Sequence, residues 1–98
     1  MNYNSILNGI ETLEKKAGML RLLLFLYGKD EYMLSDIWND SGIQRNSGYG
    51  SIVLLKELGL VKSRIDSSSY PSKNMFSLTY KGIKVAEHLK EIEEILKE

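Results

Sequence analysis

The chain has 98 residues, 43% of them hydrophobic and 27% charged, and its thirteen lysines and arginines balance thirteen carboxylates. A chain of that size closes one modest core, and its composition is that of a globular domain, not a disordered or membrane-embedded one. With no cysteine and a single histidine, His88, it cannot build disulfides, iron–sulfur clusters, thiolate or multi-histidine metal sites, or a cysteine nucleophile.

The first helical signal is long. Ile6, Ile10, Leu13, Ala17, Leu20 and Leu24 recur at alternating steps of four and three, the 3.5-residue seam of a helix packed lengthwise on another helix. Asn4 or Ser5 is placed to cap it, Gly9 and Gly18 each weaken it by roughly 1 kcal/mol against alanine, and Gly28 stops it. From Leu20 to Leu26 the chain is apolar nearly all round, which predicts a central place in the core. Arg21 splits the run Met19 to Tyr27 well short of the roughly 20 residues that cross a bilayer, and no small-residue cleavage site follows it. A soluble, cytoplasmic protein is the expectation.

Tyr32 to Leu34 reads as a short extended segment, and Ser35 as the N-cap of a brief helix that carries Ile37 and Trp38 to a stop at Ser41–Gly42. After Ile43 a second helix starts, with Gln44, Asn46 or Ser47 as its cap. Ile52, Leu55 and Leu58 form its inward stripe, and Gly59 its left-handed terminator. Two helices joined by about four residues around a glycine make a helix-turn-helix.

Leu60 to Asp66 alternates, with Val61, Ser63 and Ile65 on one face and Lys62, Arg64 and Asp66 on the other. Asp66 to Asn74 is a polar loop in which Pro71 forbids helix. Alternation resumes from Met75 to Thr79, with Phe76 and Leu78 on one face, so the two strands make a hairpin. Thr79 then caps a last helix whose Val85, Leu89, Ile92 and Leu96 repeat the seam. At 1.5 Å per residue its ~18 residues reach about 27 Å.

The order α-β-α-α-β-β-α, mainly α within an α+β class, is that of a winged helix-turn-helix with long N- and C-terminal helices. It predicts one domain over residues 1–98, with a core at about 18–82 and helical extensions at 1–17 and 83–98 for dimerisation. Tyr-Gly-Ser-Ile-Val-Leu-Leu-Lys-Glu-Leu-Gly-Leu-Val from Tyr49 resembles the junction of recognition helix and wing in the PadR and MarR groups of transcriptional regulators. Ser-Lys-Asn-Met-Phe-Ser-Leu-Thr-Tyr-Lys-Gly, residues 72–82, is similar to the pattern that ends their wing. Two departures stand out: Gly50 replaces the proline usual after the tyrosine, and the wing carries only Lys73 where those groups have an arginine-rich tip.

The resemblance implies a DNA-binding regulator with helix 44–58 in the major groove and wing 62–76 on the backbone. Opposite the inward stripe, Gln44, Arg45, Asn46, Ser47, Tyr49 and Gly50 are the candidate DNA-binding residues of the helix, arginine for guanine edges and asparagine for adenine. Gly48 and Gly50 would admit a close approach of the helix backbone to the groove. Lys62, Arg64 and Lys73 are the candidate phosphate contacts of the wing. Charge distribution agrees: residues 44–84 hold seven cations against Glu57 and Asp66, while 1–43 and 85–98 are acidic.

Ile6, Ile10, Leu13, Val85, Leu89, Ile92 and Leu96 are the candidate dimer interface, which would set two recognition helices about one DNA turn apart. In the resembling groups Trp38 stands where a small residue is usual and Gly48 where a branched aliphatic is usual, so the pair is expected to exchange core volume. His88, on the polar edge beside Glu87 and Glu91, reads as a surface residue. No nucleophile–base pair, phosphate loop or metal-ligand spacing appears, so no enzymatic activity, metal or cofactor is expected. The leading expectation is a homodimeric, sequence-specific regulator on double-stranded DNA. Its competitor is a winged helix used as a protein-interaction module, which the neutral charge and the weakly basic wing permit.

Overall fold

A computed structural model of the chain describes residues 9–98. Helical backbone ends at residue 12. Then follow α1 (Met19–Leu26), β1 (Tyr32–Met33), α2 (Leu34–Ser41), α3 (Arg45–Glu57), β2 (Val61–Asp66), β3 (Lys73–Leu78) and α4 (Tyr80–Leu96). The order and the mainly helical class are as the sequence led us to expect. Asn4, Ser5 and Ile6 lie outside the described residues.

The long first helix is not continuous. After residue 12 the chain turns through 13–18 before α1 begins, and the expected seam is cut there. Gly18 adopts φ +86°, a left-handed conformation that costs glycine little and other residues much. The Ser51 hydroxyl donates a hydrogen bond to the Ala17 carbonyl across 34 residues. Docking on α3 thus takes over a backbone group that helix continuation would have used, and Ala17 is left exposed.

Within α1 the apolar run has a sided arrangement: Met19, Leu22, Leu23 and Leu26 are buried, while Leu20 is exposed. They pack against Ile52 and Leu55 of α3, Val61, Phe76 and Leu78 of the sheet, and Ala86 of α4. The sheet has the antiparallel order β1-β3-β2. Tyr32 lies opposite Phe76 and Met33 opposite Met75; the hairpin pairs run from Val61 with Leu78 to Asp66 with Lys73. That register sends Val61, Phe76 and Leu78 inward and Lys62 and Arg64 outward. Ile65 shares the alternation of Val61 but is 66% exposed, because the hairpin has already run past the body of the domain.

One cap differs from expectation, and another falls to one of its three candidates. Met33, not Ser35, holds the N-cap position of α2: Leu34 is already helical, so β1 passes straight into the helix. In α3, Gln44 holds the N-cap backbone conformation without a side-chain cap bond, and Asn46 and Ser47 lie inside the helix. Thr79 caps α4 as expected, its hydroxyl oxygen accepting from the Gly82 N–H at 3.0 Å and donating to the Gly59 carbonyl at 2.6 Å. Gly59 ends the α3 turn at φ +78°. Gly82 has a stricter duty: a Cβ there would overlap the Leu60 carbonyl oxygen and stand 2.9 Å from its carbonyl carbon.

Candidate nucleic-acid interface

The inward side of α3 is Gly48, Ser51, Ile52 and Leu55. Its other side, at the start of the helix, presents Arg45, Asn46, Ser47 and Tyr49 to solvent; Gln44 just before them is exposed too. No other described part of the chain covers Arg45 or Tyr49, which instead border an open cleft between α2 and α3 with Ser35, Trp38 and Asn39.

Gly48 does not belong to that outward surface. A Cβ on it would stand 2.5 Å from Trp38 Cζ3 and 3.0 Å from Ile43 Cγ2, so the indole fills the volume a side chain at 48 would need. This is the volume exchange expected of the pair, and it withdraws Gly48 from any approach to a groove. Gly50 is half-buried beneath the side chain of Lys16. Sequence reasoning missed Lys16 because it sits in the turn that breaks the predicted first helix.

On the hairpin, Lys62, Arg64 and Lys73 are exposed, but Arg64 has a partner. Its Nε donates to Glu31 Oε2 at 2.6 Å and its Nη2 to Oε1 at 2.7 Å, a two-point ion pair that crosses β3 to join β2 to the residue before β1. The guanidinium's hydrogen bonds hold the Glu31 carboxyl below the ordinary carboxylate range, and Glu31 in turn raises Arg64. A phosphate would have to share or displace Glu31 to reach that face of Arg64. Lys73 lies opposite Asp66, whose carboxyl is lowered by the hydroxyl and backbone N–H of Ser68. The loop 67–72 between the strands has no cation, and its Tyr70 is 99% exposed. Below the hairpin, the Tyr32 hydroxyl donates to Asp40, tying β1 to the end of α2 and raising the Tyr32 pKa.

The candidate dimer residues fall into two groups. Leu13, Val85 and Leu89 are partly buried against the chain's own core. Ile10, Ile92 and Leu96 are exposed, as is Ile95. His88 is exposed, with Nδ1 3.8 Å from a Glu91 carboxylate oxygen. Among the described residues no group of three or more histidine and carboxylate side chains is placed to hold a metal ion, and no helix is long and apolar enough to cross a membrane.

No protein-family model matches the sequence, and no curated protein matches it significantly. Solved structures do. A MarR-family transcriptional regulator from Porphyromonas gingivalis W83 superposes with a TM-score of 0.81 over 100% of this chain and 95% of that one, at 17% identity. The fold is a winged helix-turn-helix. The transcriptional repressor BigR from Xylella fastidiosa gives 0.71 at 21% identity over 97% of this chain and 89% of that one. The transcriptional regulator YodB from B. subtilis gives 0.71 at 16% identity over 96% and 90%. At such identities the likeness establishes the winged helix itself; α2 and α3 are its helix-turn-helix, and β2 and β3 its wing.

Proposed function

We propose that the protein is a sequence-specific regulator of transcription that binds double-stranded DNA as a homodimer, with the start of α3 in the major groove and the wing on the flanking backbone. The observation that carries this reading is the uncovered polar side of α3, where Arg45, Asn46, Ser47 and Tyr49 are all exposed while Ile52 and Leu55 anchor the helix to the core. Arginine and asparagine there have the donors and acceptors that read base edges. The basic stretch 44–84 supplies the field for a polyanion, and the acidic C-terminal stretch keeps DNA from the far end. That the superposing structures are transcriptional regulators supports the same reading. It carries with it a cytoplasmic location, where such a protein meets its DNA, and no catalytic role.

Homodimerisation rests on α4. Its 17 residues extend about 26 Å at 1.5 Å each, and Ile92, Ile95 and Leu96 stand exposed at its far end. Pairing through that end and through the exposed Ile10 would bury these residues and set two copies of α3 for half-sites one DNA turn apart. Binding-site selection from random duplexes tests both claims together: a two-fold symmetric consensus is the expected result, and recovery of no preferred sequence overturns the reading.

One alternative has its own support. With Arg64 held by Glu31 and the wing loop uncharged but for its bordering strands, the fold could serve as a protein-interaction module. Duplex binding that weakens steeply between ~50 and ~300 mM salt excludes this, since only phosphate contacts release condensed counterions.

A further inference from the structure

Gly50 is the one residue of the outward side of α3 that brings no side chain, yet the space above it is filled. A Cβ placed on Gly50 would stand 3.5 Å from Lys16 Cδ and 3.6 Å from both Lys16 Cε and Nζ, ordinary van der Waals contact along the end of that side chain. Lys16 is exposed, and among the described residues it makes no ion pair. Its segment is fastened to α3 independently of the lysine. The Ser51 hydroxyl, one residue on from Gly50, donates to the Ala17 carbonyl. A Cβ at Gly18 would meet Ile43 Cγ2 at 3.4 Å, so this turn also abuts the approach to α3. The turn 13–18 thus flanks α3 along the edge that carries Gly50 and Ser51, whereas the Trp38 ring of α2 packs against Gly48.

We propose that Lys16 is a DNA-backbone contact that serves as the missing side chain of position 50: the break in the first helix delivers an ammonium group to the rim of the recognition surface, where it neutralises a phosphate beside the groove that α3 enters. The inference rests on the DNA-binding reading above and deepens it. The chemistry is that of a flexible point charge, which suits a phosphate and reads no base. It also accounts for a small residue at position 50. A larger uncharged side chain at 50 would push the lysine aside, whereas alanine would fit at ordinary contact distance.

The test uses the full chain and a ~30-base-pair duplex of mixed sequence, with affinity measured by fluorescence anisotropy from ~50 to ~300 mM salt. Lys16→Gln should weaken binding several-fold at low salt and reduce the log–log salt slope by about 1 per protomer. Lys16→Arg should keep the wild-type slope. Adding Gly50→Lys to Lys16→Gln should restore it, because the new ammonium group starts from the position that Lys16 now covers. The melting temperature of Lys16→Gln should match wild type, since the side chain is exposed. A Lys16→Gln slope equal to wild type overturns the proposal while leaving the DNA-binding reading intact, as does a Gly50→Lys addition that folds normally and restores nothing. Wild-type protein with no salt-dependent affinity for the duplex overturns the DNA-binding reading itself, and this inference with it.

Discussion

Along α4 the repeat Val85, Leu89, Ile92, Leu96 is unbroken, yet its two ends live in different surroundings. At the root, Gly82 lies against the Leu60 carbonyl with no room for a methyl group, Ala86 is fully buried, and Thr79 ties the first turn to Gly59. At the tip, Ile92 is 51% and Leu96 74% exposed. One periodicity therefore meets two surroundings: the chain's own core at the root, and at the tip a face that the described residues leave open. A seam in a sequence states that a helix face is to be buried, and leaves open by whom.

That contrast can be broken most severely at the root. Gly82→Ala should lower the melting temperature by more than about 10 °C, equivalent to roughly 3 kcal/mol in a domain this small, because the clash is with backbone and cannot be relieved by a rotamer. Thermal denaturation followed by circular dichroism reads it, and a wild-type melt would mean that α4 is free to shift. Whether such close fit is peculiar to α4 or general to the core is tested at Gly48. Gly48→Val should cost about 2 kcal/mol by overpacking, and Trp38→Ala about 3 kcal/mol by cavity formation. The double variant should fall short of their sum by about 1–2 kcal/mol, since removing the indole makes room for the valine; strict additivity in urea melts would refute the exchange.

A smaller effect is expected at the cap. Thr79→Ala should cost about 1–2 kcal/mol, because one hydroxyl both accepts from the helix and donates to Gly59. At the tip, Ile92→Asp with Leu96→Asp should leave the melt of dilute protein within about 0.5 kcal/mol of wild type. The same pair should bring the sedimenting mass down to the 11.2 kDa of one chain; wild-type protein that already sediments as one chain would remove the dimer.

The smallest effect is electrostatic. Since Arg64 lowers the folded-state pKa of Glu31, the pair stabilises the fold above the ordinary carboxylate range, and the benefit fades as pH falls through the lowered folded value. The difference in melting temperature between wild type and Glu31→Gln should therefore be present at neutral pH and vanish in acid. A pH-independent difference would assign it to something other than the carboxylate charge.

Much of this fold was legible in the sequence. Ile52 and Leu55 marked the inward face of α3, Gly59 its end and Thr79 the start of α4, because each is a local solution to a local need: a stripe at helical spacing, a left-handed turn, an orphan N–H. The candidate groove-facing residues were legible by the same subtraction, as whatever the stripe leaves outward. Three features were hidden. Ser35 looked like a cap, but the pairing of β1 with β3 fixed where α2 begins. Arg64 looked free, but Glu31 lies 33 residues away in sequence. The seam ran through the first helix despite Gly9 and Gly18, but the chain turns at 13–18, where Ser51 from 34 residues away bonds the Ala17 carbonyl.

The sequence by itself determined the order of elements, the inward faces of the helices and the alternation of the strands, because periodicity and turn chemistry act over a few neighbouring residues. Only the tertiary structure decided that Gly82 was needed for closeness, which cation was already paired and which lysine came to rest over α3. Those outcomes depend on atoms brought within a few ångströms from distant parts of the chain, and repulsion and charge pairing at that range leave no mark on local pattern.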